Sequence, residues 1–280
     1  GPNNIQGLAA PHTNADSNEK PTLHSLKVPE VRKRQEAYVR KVVDTVNGFD
    51  NVLYEIINEG GTVEWQNHMI RFVKDYERTK PRQHPVGFTH AVSPKMWNED
   101  LFASPADWVS PAKQPADWEY PGSTFLEHYE EDPPANDGRK VILLDTDHLW
   151  GHGGTPQWVW KAFTRGHNPI FMDSWAPIAG TISAKDAPWM VLKGGIQKNT
   201  ADYPDWAPVR EQMGRVARLA ARLNLAAMTP GGHLSSSRYC LAQPGHAYVV
   251  YLPAGGRVTL DLRGGPGADR AGGVLPRPGP

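Results

Sequence analysis

Two apolar runs in this chain end in acids. Asn51-Val-Leu-Tyr-Glu-Ile-Ile-Asn58 leads into Glu59 and two glycines, and Arg139-Lys-Val-Ile-Leu-Leu leads into Asp145-Thr-Asp147. Apolar, β-branched runs of this length read as buried parallel strands. A carboxylate at the carboxyl tip of such a strand lies where barrel enzymes keep their reactive groups. Asp145 and Asp147 are two residues apart, so an extended backbone turns both to one side. If Glu59 and one of these aspartates face each other, one carboxyl can protonate a leaving oxygen. The other can attack carbon or activate water. A separation of about 5 Å favours direct attack, and about 6.5–9.5 Å leaves room for a water molecule.

Other residues offer different chemistry. Asp145, Asp147, His148 and His152 form Asp-Thr-Asp-His-x3-His, a set that could ligate zinc or manganese, with His90 as a further donor. No His-Glu-x-x-His helix accompanies it. Gly151-His-Gly-Gly154 has the outline of a lipase oxyanion loop, but the chain has no Gly-x-Ser-x-Gly elbow, and Ser235–Ser237 reads as a polar linker. Trp97, Trp108, Trp118, Tyr120, Trp150 and Trp175 fall in loop-like stretches and could line subsites, because indole faces stack on sugar rings. Trp158 and Trp160 sit in a helical pattern and read as packing. The acids between Asp117 and Asp137 read as a solvated charge run.

The elements that must position these groups alternate in type. Helices are expected over Val28–Val46, with Pro29 in the first turn and a stripe of Val31, Tyr38, Val42 and Val46, and over Trp65–Thr79, with Met69, Ile70, Phe72, Val73 and Tyr76 inward. Two more are expected over Thr155–Thr164 and Val209–Met228. Strands are expected over Asn51–Asn58, His84–His90, Asp107–Ser110, Arg139–Asp147 and Asn168–Asp173. A long loop follows His90. Strands alternating with helices imply βα units and parallel pairing. After Pro230 the pattern changes to short strands at Ser237–Ala242, His246–Leu252 and Gly256–Leu262, split by Pro-Gly and Ala-Gly-Gly turns, which is an antiparallel arrangement.

At 280 residues the chain can bury a real core. Its formal charge is zero and no basic stripe is interleaved with aromatics, which argues against a nucleic-acid partner. No apolar run approaches ~20 residues, so no spanning helix is expected. The single Cys240 excludes an internal disulfide and a cysteine metal cluster. Gly1-Pro2 has the look of a protease scar, and no leader peptide is visible.

A resemblance sharpens the reading. Val52-Leu-Tyr-Glu-Ile-x-Asn58-Glu59 resembles the fourth strand of cellulase-like clan A glycoside hydrolases, in which the Glu is the general acid/base and the Asn contacts the sugar; Gly60 stands where those families usually carry Pro. Gly138 to Gly151 resembles the seventh strand of such barrels and is similar to the apiosidase-like glycoside hydrolases, whose strand reads Lys-Pro-Val-Ile-x-x-Glu. Laid over that phrase, Asp147 falls on the nucleophile, with Asp in place of Glu, and Asp145 beside it. Phe171-Met-Asp-Ser-Trp175 resembles the eighth strand, whose aromatic tip floors the substrate site. Tyr239 to Leu262 resembles the collagen-binding-type β domain that follows these barrels, a name that carries no claim of collagen binding.

The resemblance implies a TIM-type (β/α) barrel lacking its first strands, then a small antiparallel β module. The expected divisions are a loop segment over 1–27, the partial barrel over 28–230, the module over 231–264 and an irregular tail over 265–280. It implies a secreted or periplasmic hydrolase of plant-type β-glycans or pectic side chains, with Glu59 as acid/base and Asp147 and Asp145 as the opposing carboxylates. Asn58, His90, His148, Trp150 and Trp175 would surround the sugar. No cofactor or metal is required. The chain is expected to be a truncated family member whose open barrel a second copy would complete. Two alternatives stand beside this: a non-catalytic carbohydrate-binding barrel, and a metal-dependent hydrolase using Asp145, Asp147, His148 and His152.

Overall fold

The computed structural model describes residues 23–58, 60–90, 97–112, 129, 131–146, 149, 154–172 and 207–262, and the chain divides into two units, Gly1–Leu126 and Glu127–Pro280. Both are mixed α/β. The described residues hold parallel strands, three in the first unit and two in the second, and a three-stranded antiparallel sheet in the second.

In the first unit, helix α1 (Pro29–Val46) begins at a proline, whose missing N–H costs nothing in a first turn. It ends at Asn47, whose N–H donates to the Val43 carbonyl at 2.9 Å. Val31 and Val43 are buried, but Tyr38 is 71% exposed, so the expected stripe is corrected there. The inward face is shared by Gln35, which a hydrophobic pattern passes over. Its amide accepts from Trp65 Nε1 at 3.0 Å and donates to the Leu23 carbonyl at 2.5 Å.

Strand β1 (Tyr54–Glu55), helix α2 (Val63–Glu77), strand β2 (Val86–Thr89), helix α3 (Asn98–Ala103) and strand β3 (Trp108–Ser110) follow. β1, β2 and β3 lie side by side in that order, all parallel, with Glu55 opposite Gly87 and Gly87 opposite Trp108. The expected buried strand over Asn51–Asn58 is thus reduced to a two-residue ladder. Its position explains this: among the described residues β1 is bonded on one side only, and Leu53 beside it is 58% exposed. β2 is the central strand of the unit, and all four of its residues are buried. Met69, Ile70 and Val73 of α2 form the core with Val86, Phe88 and Val109. Helix α3 falls within the stretch expected as a loop. Asp100 starts it by accepting the Trp97 N–H at 2.9 Å.

Strand register sorts the side chains onto two faces. Tyr54 reaches Glu77 of α2, so Tyr54, Val86, Phe88 and Val109 share the helix-covered face. Glu55, Gly87, Thr89, Trp108 and Ser110 share the other. Gly87 is required there: a Cβ on it would lie 1.9 Å from Cε2 of the Trp108 indole.

In the second unit, strand β4 (Val141–Asp145) pairs in parallel with β5 (Asn168–Ile170), joined by helix α4 (Pro156–Thr164), which Thr155 caps by accepting the Trp158 N–H at 3.1 Å. Helix α5 (Ala207–Ala220) buries Val209, Gln212 and Val216. It stops short of the expected Met228, because i→i+3 bonds from Arg222 to Leu219 and from Leu223 to Ala220 tighten and close its end. Strands β6 (Thr229–Pro230), β7 (Cys240–Gln243) and β8 (Ala247–Val250) form the antiparallel sheet in that order. The expected strand over Gly256–Leu262 is a single bridge, Leu260 to Ser235, flanked by two backbone bonds. Its neighbour, Leu234–Ser236, runs from a short 3-10 helix into a turn rather than along an extended strand, so no ladder continues. Cys240 is fully buried on β7, and burial pushes its thiol up to about 11.

Candidate functional site

The carboxyl ends of the parallel strands carry the site residues that the structure describes. Asn58 lies three residues past β1 and is exposed. His90 directly follows β2 and is 2% exposed, and its backbone N–H donates to the Ser110 carbonyl of β3 at 3.1 Å. Asp145 is the last residue of β4, half-buried, opposite Ile170 of β5. The next residue, Thr146, is fully buried, and its Oγ1 accepts the Met172 N–H at 2.8 Å, which ties the ends of β4 and β5 together. Glu59, Asp147, His148, Trp150, His152 and Trp175 lie outside the described residues.

The segment after Glu59 is held closely. Gly61 sits at φ +75°, and a Cβ there would lie 2.8 Å from the Trp65 ring. Thr62 caps α2 through its Oγ1, which accepts the Trp65 N–H at 3.2 Å, and its own N–H donates to the His24 carbonyl at 3.0 Å. Gln66, one turn into α2, donates from Nε2 to the Gly60 carbonyl at 2.6 Å.

Two polar groups not anticipated from sequence stand on the other face of the first sheet, the one shared by Gly87 and Trp108. Glu55 Oε1 accepts from Thr89 Oγ1 at 2.5 Å, which fixes a carboxylate of β1 to the buried hydroxyl of β2. Period-two alternation within Tyr54-Glu55 was the signal available, since it turns Glu55 away from the tyrosine face. Trp108 is a strand residue, in line with the strand expected over Asp107–Ser110, but at 7% exposed it packs in the interior, which corrects its expected place among the loop aromatics of a subsite. Trp158 is buried, as the helical pattern implied, and donates to the Tyr129 carbonyl at 3.0 Å.

A second polar cluster lies at the opposite, amino ends of β1 and β2. Glu77, 1% exposed, accepts at Oε1 from Asn47 Nδ2 (3.0 Å), Tyr54 Oη (3.0 Å) and His84 Nδ1 (2.8 Å), and at Oε2 from the His84 N–H (2.6 Å). His84 Nε2 lies 2.7 Å from the Phe49 carbonyl. Both ring nitrogens therefore face acceptors, which requires a proton on each and makes the ring an imidazolium. Burial alone would raise the Glu77 pKa; the bonds from His84, Asn47 and Tyr54 outweigh it and hold the carboxyl below its usual range. The Glu77 bond raises the His84 pKa, while burial and the Glu77 carboxylate raise that of Tyr54. These buried bonds tie the amino ends of β1 and β2 to the end of α2. In the second unit His167 is the reverse case. It is buried, with Nε2 2.6 Å from the Pro134 carbonyl, and burial depresses its pKa to about 4, so it is neutral.

Among the described residues no group of three or more His, Cys, Asp and Glu is arranged to hold a metal ion, and three members of the sequence-derived metal set lie outside them. No described helix is long and apolar enough to cross a membrane. No protein-family model matches the chain, and no curated protein or solved structure matches it either.

Proposed function

We propose that this chain is a glycoside hydrolase whose parallel strands belong to a (β/α) barrel of clan A type, with Glu59 as general acid/base and Asp147, supported by Asp145, as the opposing carboxylate. The observation that carries the reading is placement in sequence along the strands. Asn58-Glu59 follows β1, a parallel strand leading into α2, and Asp145 ends β4, a parallel strand leading into α4. Carboxyl ends of parallel strands are where this architecture assembles its chemistry. His90, buried at the tip of β2, stands at the same end as Asn58 and supports a role beside the sugar. The substrate is a plant-type β-glycan or a pectic side chain, with His148, Trp150 and Trp175 completing the substrate site and no cofactor taking part. In the reaction Glu59 protonates the departing glycosidic oxygen, and Asp147 either attacks the anomeric carbon or activates a water.

The test is release of reducing ends from a panel of polysaccharides and aryl glycosides. Glu59→Gln and Asp147→Asn should each lower kcat/KM by roughly 10²–10⁴-fold, the usual weight of a general acid or base. A folded wild-type protein that binds oligosaccharides without turnover would move the chain to the binding class. Activity lost to a chelator and restored by zinc or manganese would move it to the metal hydrolases.

A further inference from the structure

The Gly60 carbonyl, one residue past Glu59, is gripped by a buried polar side chain of α2. Gln66 is fully buried on α2, and its Nε2 donates to the Gly60 carbonyl at 2.6 Å. Its Oε1 is buried with no hydrogen-bond partner among the described residues. A methionine would fill the same space without leaving an orphan acceptor in the interior, and such orphans are costly. The amide makes one side-chain hydrogen bond, and that bond is to the residue adjoining Glu59. Other constraints converge on the same peptide. The Gln66 N–H donates to the Thr62 carbonyl at 2.9 Å, the Thr62 N–H is held by the His24 carbonyl at 3.0 Å, and the left-handed Gly61 packs on Trp65. Trp65 is tied in turn to Gln35 of α1.

We infer that Gln66 is a positioning residue: through the Gly60 carbonyl it fixes the backbone that presents Glu59, the acid/base of the proposed hydrolase, on which this inference rests. It touches no substrate. It acts through the backbone of the adjoining residue, and misplacement of a reacting group by about 1 Å can cost 10²-fold in rate.

Gln66→Met removes the donor at constant volume, and Gln66→Asn keeps the amide but draws it one methylene short of Gly60. Turnover of the best aryl glycoside should fall about 10- to 100-fold in kcat for Gln66→Met, with KM within about twofold, and Gln66→Asn should fall between it and wild type. Amide hydrogen exchange in Asn58–Thr62 should quicken by about tenfold in Gln66→Met while that of β2 and β3 holds. Unchanged exchange in that segment, or a loss confined to KM and melting temperature with kcat intact, overturns the inference. Quickened exchange in a protein whose wild type turns over no glycoside leaves the grip established and removes the hydrolase reading and the catalytic half of this one.

Discussion

Glu77 serves four donors from three places in the chain, Asn47, Tyr54 and the backbone and ring of His84, and is nearly sealed from water. Removing one member of a buried charged pair leaves the other uncompensated, which costs far more than the pair contributes as a unit. Glu77→Leu should therefore destabilise the first unit by about 3–5 kcal/mol in denaturant titration. A loss under about 1 kcal/mol, the size of an ordinary hydrogen bond, would mean the cluster does not pin the amino ends of β1 and β2. Nothing in the sequence marks Glu77. Helical periodicity puts it at the polar close of α2, and its partners lie 30 residues before it, 23 before it and 7 after it. A buried carboxylate whose donors are non-local has no local signature.

At the scale of elements, β2 runs beneath Trp108 only because residue 87 has no side chain. Gly87→Ala would drive a Cβ into the indole. Overpacking of this kind costs about 1–3 kcal/mol, and Trp108→Leu in the same protein should recover part of it, a non-additivity that thermal melting of the four variants would measure. Additive effects would show that the two positions do not share one space. The same strands show what the sequence could convey. Helices α1, α2 and α4 were legible within two residues at most boundaries, because each has a cap or proline start and a periodic apolar face. The parallel strands were legible as runs, but an apolar run does not say which strand is central. Val52, Leu53, Ile56 and Ile57 read as buried, and the β1 they surround is, among the described residues, bonded on one side. α3 is six residues, too short for a periodic pattern. Of the site, the strand-end placement of Asn58, His90 and Asp145 was legible, because apolar runs that stop at polar residues mark their own tips. The Gln66 grip was not, since a glutamine inside an amphipathic helix reads as surface.

For the molecule as a whole, the two units carry buried histidines in different protonation states, one charged and one neutral, and should answer pH in opposite directions. In the first unit the His84 pKa lies above its ordinary 6.5, so its stabilisation is complete below 6.5 and fades as pH rises through the elevated folded value. The Glu77 pKa lies below its ordinary 4.5, so its share is complete above 4.5 and fades as pH falls through the depressed value. In the second unit the His167 pKa falls from 6.5 to about 4, so its neutral form contributes roughly 3 kcal/mol above 6.5, lost progressively as pH drops toward the folded value. On going from about pH 7.5 to about pH 5, exchange protection corrected for intrinsic rates should rise in α2 and fall in α4. Protection that moves the same way in both would contradict the charge assignments.

Cys240 gives that asymmetry a chemical handle. It is the only sulfhydryl in 280 residues, closed off on β7 and held as the unreactive thiol by its surroundings. An alkylating probe added to native protein has nothing to modify until the second unit opens, so its uptake reports on that half and is silent about the other.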